Sequence, residues 1–240
     1  MAKQPILIFH GALGAASQFT RIAEFLDSMG EICKVIEFEG HGHQPLNHEF
    51  SMSAFADQVK DQVNACEEKP LVFGYSMGGY AALLASLSGA SMAGLITLGT
   101  KMLWTPEIAQ KERRMLNPEK LMEKVPAFAK ELEMRHQSLP WTNLLERTAD
   151  MMTTLGDHPP LKDENLQRIQ IPVLYALGDR DEMVSAEETI HAYRQTPGAA
   201  FSILPGTRHP IEKLDPELMY FLIQQWRKMA ARYPTIQKVS

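Results

Sequence analysis

The chain alternates short, wholly apolar runs with longer stretches in which apolar residues recur at helical spacing. Pro5-Ile6-Leu7-Ile8-Phe9-His10 reads as a buried strand, and a helical pattern follows over residues 17–29. Residues 33–38 read as a second strand, then a His/Gly-rich loop, then a helix over 51–66. Leu71-Val72-Phe73-Gly74-Tyr75 is the third strand and runs straight into a helix over 77–87; residues 93–98 are the fourth. Residues 173–177 and 200–204 are the fifth and sixth, and a helix over 213–232 closes the pattern. Strands that are apolar throughout and separated by helices predict a parallel sheet covered on both faces. Right-handed crossovers then place every loop after a strand at the carboxyl edge, where such sheets bind ligands. The expected fold is α/β, a mostly parallel sheet of about six strands flanked by helices.

Residues 101–165 interrupt the alternation. Thr105-Pro106, Asn117-Pro118 and Leu139-Pro140 mark helix starts, because proline suits the first helical turn. Gly156 and His158-Pro159-Pro160 mark an end. The pattern predicts a helical cap inserted between the fourth and fifth strands, with 1–100 and 166–240 forming the body. Six methionines fall inside it: Met102, Met115, Met122, Met134, Met151 and Met152. Methionine fits irregular apolar shapes, so these residues either pack the cap on the body or line an apolar acyl pocket. Leu13, Tyr75, Met102, Met151, Met152 and Met183 are the candidate substrate contacts.

Composition narrows the function. The 240 residues suit one domain, and a hydrophobic fraction of 45% is that of a folded globular chain. A net charge of −5 and the mixed cluster Lys111-Glu112-Arg113-Arg114 argue against nucleic acid. Two cysteines, Cys33 and Cys66, make neither a disulfide framework nor a zinc site. The apolar run after Lys3 stops at four residues, short for a signal peptide, and no run approaches the ~20 residues of a membrane span. A soluble, cytoplasmic protein with a small-molecule partner is expected, and its oligomeric state is left open.

The chemistry lies at the ends of the strands. Gly74-Tyr75-Ser76-Met77-Gly78 is a G-x-S-x-G string at a strand-to-helix turn, where a serine is held in a strained conformation with its hydroxyl exposed. Gly74 and Gly78 leave room for chain passing too close for a Cβ. The same turn aims the Met77 N–H, at the positive end of a helix, to where an oxyanion would form. A serine hydroxyl needs a base, and His209, in the loop after the sixth strand, is placed to be one. Asp179 and Asp181 both follow the fifth strand; Asp181 is preferred as the acid that orients the imidazole, with Asp179 capping the turn or pairing with Arg180.

The order Ser76, Asp181, His209, each after a strand, resembles the α/β-hydrolase family over essentially the whole chain. His10-Gly11-Ala12-Leu13-Gly14 is similar to that family's H-G-x oxyanion loop, which implies that Ala12 supplies the second oxyanion N–H and that His10 braces the loop. Gly40-His41-Gly42-His43 resembles the family's G-H-G loop, although Glu39 stands where proline is common. His41, His43 and nearby His48 are expected to brace this loop and not to bind metal, and no cofactor is implied. The resemblance implies a serine hydrolase of the carboxylesterase kind acting on a small-to-medium ester. Alternatives are a thioesterase, a carbon–carbon hydrolase or lyase of the aromatic-degradation or menaquinone-synthesis kind, or a ligand-sensing module with vestigial turnover.

Overall fold

A computed structural model describes residues 4–233. Among these residues the sheet has six strands: β1 (Ile6–Phe9), β2 (Cys33–Ile36), β3 (Leu71–Tyr75), β4 (Gly94–Leu98), β5 (Val173–Gly178) and β6 (Ala200–Leu204). They run in spatial order β2-β1-β3-β4-β5-β6 with every pairing parallel. Strand residues alternate between the two faces, as the two-residue period requires. Leu7, Phe9, Val72, Leu95, Val173 and Tyr175 enter one buried cluster; Ile6, Ile8, Leu71, Phe73, Ile96 and Leu174 enter the other. The four central strands, β1, β3, β4 and β5, are buried at every position, so they carry no hydrophobic-polar alternation.

α1 (Thr20–Ser28) and α10 (Pro216–Ala230) cover the second face, where the Trp226 indole N–H donates to the Pro172 carbonyl. α2 (Met52–Asn64) and α3 (Met77–Leu87) pack together on the first face. Strand order reverses between β1 and β3, so the loops leaving these strands diverge and open a crevice at the carboxyl edge.

Between β4 and β5 the chain forms α4 (Pro106–Met115), α5 (Pro118–Lys124), α6 (Pro126–Arg135), α7 (Trp141–Asp157) and short α8 (Asp163–Leu166). Thr105 and Asn117 cap α4 and α5 by accepting the N–H groups of Ile108 and Lys120. Gly156 does not end α7 but lies within it. A Cβ there would come within 2.5 Å of Ala109 Cβ, so glycine lets α7 lie close on α4. Three further elements differ from the sequence pattern. Residues 16–19 form a 3-10 turn before α1, a separate helix starts at Pro126, and α9 (Ala186–Gln195) fills the β5–β6 connection. No helix among the described residues is long and apolar enough to cross a membrane.

Candidate active site

Ser76 joins β3 to α3 with φ 49° and ψ −116°, a region that side chains rarely occupy. The turn is fixed from both sides: the Ser76 N–H donates to the Leu98 carbonyl at 2.9 Å, and the Thr100 hydroxyl donates to the Ser76 carbonyl at 3.0 Å. A Cβ on Gly78 would lie 2.5 Å from the Phe9 carbonyl oxygen and 2.7 Å from that of His10. Glycine there lets the start of α3 press against the end of β1, which brings the β1 loop over the serine. Gly11 shows the same closeness, since its Cβ would meet Ser76 Cβ at 3.0 Å.

Asp181 and His209 come together across the ends of β5 and β6. His209 Nδ1 lies 2.8 Å from Asp181 Oδ2, with the side chains 10% and 3% exposed. The other Asp181 oxygen accepts the N–H groups of Met183 and Val184 at 2.8 and 2.9 Å. Burial opposes ionisation of this carboxyl, but the His209 hydrogen bond and the two amides outweigh it and hold its pKa below the ordinary value. As an ionised acceptor, Asp181 receives the hydrogen bond of an Nδ1–H, the tautomer of neutral imidazole whose lone pair is on Nε2. The Tyr75 hydroxyl donates to the His209 carbonyl at 2.8 Å and fixes the loop from beneath. Asp179 instead faces Arg180, at 3.8 Å.

The β1 loop is a tight turn closed by the Gly14 N–H on the Gly11 carbonyl, 3.1 Å. His10 is fully buried, with Nδ1 2.8 Å from that same carbonyl and Nε2 accepting the Phe38 N–H at 3.0 Å. Desolvation lowers its pKa to about 4, so it is neutral with the proton on Nδ1. A trans peptide points its N–H opposite its carbonyl; holding the Gly11 oxygen therefore sets the direction of the Ala12 N–H.

Ser76, His209, Ala12 and Met77 line one cavity of about 800 Å³, walled largely by apolar side chains of the inserted helices such as Leu121, Phe128 and Met151. Ser76 and His209 meet as walls of this cavity and not through a hydrogen bond. Leu13, Tyr75, Met151, Met152 and Met183 also line it. Met102 does not. Its N–H and that of Leu103 donate to Glu188 Oε2 at 3.0 and 2.9 Å, which turns the segment toward α9, and its side chain packs on the core. Sequence reasoning missed Thr100, Lys101, Glu112 and Arg135. Lys101 Nζ donates to the Met183 carbonyl at 2.9 Å and lies 3.4 Å from Glu112 of α4, a charged pair in the cavity wall.

The G-H-G loop carries a buried imidazole, His41, which stacks on Phe50. His48 lies on the surface, 2.9 Å from Glu39. Among the described residues no three His, Cys, Asp or Glu side chains group as a metal site.

Comparison with curated protein sequences gives no significant match. Solved structures with the same fold include a thermophilic esterase from Thermogutta terrifontis, 23% identical, covering 95% of this chain and 91% of that one with a TM-score of 0.72. An N-formylmaleamic acid deformylase from Pseudomonas putida S16 is 16% identical, with 93% and 92% covered and a TM-score of 0.69. A monoacylglycerol lipase from Paleococcus ferrophilus is 14% identical, with 95% and 94% covered and a TM-score of 0.62. The family model described as serine aminopeptidase, S33, matches residues 1–217, and the chain belongs to this family of α/β hydrolases.

Proposed function

We propose that this protein is a serine hydrolase that cleaves a small-to-medium carboxylic ester through an acyl-enzyme on Ser76. The observation that carries the reading is the meeting, on one cavity, of a serine in a strained turn and an imidazole whose other nitrogen is held by a buried carboxylate. In the first step Ser76 Oγ bonds to the ester carbon while its proton passes to His209 Nε2. The carbonyl oxygen becomes an oxyanion, received by the Ala12 and Met77 N–H groups, the latter at the start of α3. Collapse breaks the ester C–O bond, and His209 returns the proton to the departing alcohol. Water then attacks the acyl-enzyme by the same route and frees the acid. The Ser76–His209 hydrogen bond forms on substrate binding; such bonds commonly tighten only in the complex.

The volume lies in the range of about 300–1,000 Å³ typical of sites that enclose small molecules, and the apolar wall suits an acyl chain. Glu112 is paired with Lys101, and Glu131 and Glu212 both lie beside Arg135. Glu131 and Glu212 thus share one guanidinium, and the preference for an ester with an acyl chain rests on the apolar side chains of the wall. The residues 101–165 act in this reading as the cap that shapes the acyl site.

A panel of p-nitrophenyl and coenzyme A esters of graded chain length tests the proposal and separates esterase from thioesterase. The expected result is turnover of oxygen esters with burst release of p-nitrophenol, reduced about 10⁴-fold or more in Ser76→Ala. Undiminished turnover in Ser76→Ala overturns the reading. So does negligible turnover accompanied by ligand-dependent thermal stabilisation, the behaviour of a sensor.

A further inference from the structure

The inserted helices hold the β1 loop as well as covering the cavity. Leu13 sits at φ 58°, a left-handed conformation unfavourable for a branched side chain by about 1–2 kcal/mol. Such a residue persists when its surroundings over-determine it, and the Leu13 carbonyl has two donors from one segment of the insertion. Arg135 Nη1 lies 3.1 Å away, at the end of α6, and His136 Nε2 lies 3.0 Å away, in the residue that follows.

His136 is 4% exposed and also reaches the G-H-G loop, where its Nδ1 accepts the Gly42 N–H at 2.9 Å. That bond assigns the tautomer: the proton is on Nε2, facing Leu13. The next residues continue the attachment, with the N–H groups of Gln137 and Ser138 both donating to the Gly42 carbonyl. Arg135 is anchored in turn by Glu212, at 3.2 Å, in the turn that follows the His209 loop.

These bonds act on the catalytic loop through two peptide planes. The Leu13 carbonyl and the Gly14 N–H share one plane; holding the carbonyl aims that N–H at the Gly11 oxygen, 3.1 Å away. The Gly11 carbonyl and the Ala12 N–H share the next plane, so the Gly14 contact, with that of His10, sets where Ala12 donates.

We propose that His136 and Arg135 are positioning residues for the oxyanion donor Ala12, so that the insertion completes the reaction centre from outside the sheet. This rests on the reading of Ala12 as an oxyanion donor. Neither side chain acts on the reacting atoms in this role; both fix the backbone that does.

The test uses the full-length protein with p-nitrophenyl butyrate as substrate and a trifluoromethyl ketone, whose serine adduct carries an oxyanion, as probe. Variants are His136→Ala, His136→Gln and Arg135→Met, with Ser76→Ala as reference. Deleting one oxyanion donor outright costs about 10²–10³-fold, so misaiming one is expected to lower kcat about 10- to 100-fold in His136→Ala. KM should stay within about threefold, and ketone affinity should fall in parallel with kcat/KM. Gln carries both an acceptor for Gly42 and a donor for Leu13, and should recover most of the loss. Should His136→Ala fail to fold, Arg135→Met carries the test, with a smaller loss of the same signature. Folded variants with wild-type kcat, or with the whole loss in KM and ketone affinity unchanged, overturn the inference alone. Hydrolysis that survives Ser76→Ala overturns the site reading and this inference with it.

Discussion

The two sides of the cavity are held by different means. On the acid–base side, Asp181 is fixed by amides two and three residues ahead and by His209, 28 residues away. On the oxyanion side, the β1 loop depends on Phe38, Arg135 and His136, up to 123 residues away, and on imidazoles with no place in the chemistry proposed. The first side is built from strand ends and local turns, with one long-range bond from Tyr75, at the end of β3, to the His209 carbonyl. The second is assembled from three separated parts of the chain, one of them the insertion.

The largest expected effect lies on the acid–base side. Asp181→Asn should lower kcat about 10³–10⁴-fold, because an amide stabilises the imidazolium poorly and favours the wrong imidazole tautomer. Asp179→Asn should change kcat by less than about threefold, since Asp179 faces Arg180 near the surface. Steady-state kinetics of the two variants checks this. A larger loss in Asp179→Asn would exchange the two assignments.

The difference between the sides also decides what could be read in the sequence. The strands, the Ser76 turn and the loops carrying Asp181 and His209 were legible because each rests on a contiguous pattern. The strand set came from runs buried on both faces, and the serine from two glycines around a strand end. α9 was missed because Thr189 and Ala192 are its buried residues, too few to mark an apolar stripe. The available signal was the capping box of Ser185 and Glu188. Met102 was misplaced because methionine is equally at home in a core and in a pocket, and Glu188 decides between them. His136 offered no sequence signal. It lies between polar residues, and its partners are set only when α6 docks.

A smaller effect separates the sides by pH. Burial lowers the pKa values of His10 and His136 from 6.5 to about 4, and desolvation carries that of His41 well below 6.5. The rings of His10 and His41 lie 4.9 Å apart, and those of His41 and His136 5.9 Å. The unfolded chain binds protons here that the folded chain excludes. The resulting stability is therefore complete above pH 6.5 and is lost progressively as pH falls toward 4. For His10 or His136 the loss at about pH 5 is roughly 2 kcal/mol. Asp181, whose pKa is lowered from 3.8, contributes stability above that value that is lost only at still lower pH. Hydrogen exchange at about pH 7 and about pH 5 should show residues 10–14, 40–43 and 136–138 losing protection before 178–184. Simultaneous loss would mean that the two sides unfold as one unit and would remove the distinction.

The smallest expected loss of turnover concerns a pair that joins the insertion to the acid loop. Lys101, 18% exposed, has two partners: Glu112 on α4 and the Met183 carbonyl. Met183 belongs to the backbone that holds Asp181, so one ammonium links α4 to the acid loop. Glu112→Gln removes a charge but leaves Lys101 on the Met183 carbonyl. It should cost about 1 kcal/mol in stability and leave kcat within about twofold. Lys101→Met strands the 9% exposed Glu112 carboxylate and releases the Met183 carbonyl as well. A larger stability loss is expected, about 2–3 kcal/mol, with a three- to tenfold fall in kcat. Adding Glu112→Leu to Lys101→Met removes the unpaired charge and should restore most of the stability. The kcat should stay low, because the Met183 carbonyl still lacks its donor. Urea unfolding and kinetics on the four proteins separate the two roles. If kcat recovers together with stability, the lysine acts through the ion pair alone, and the acid–base side is as independent of the insertion as its local bonds imply.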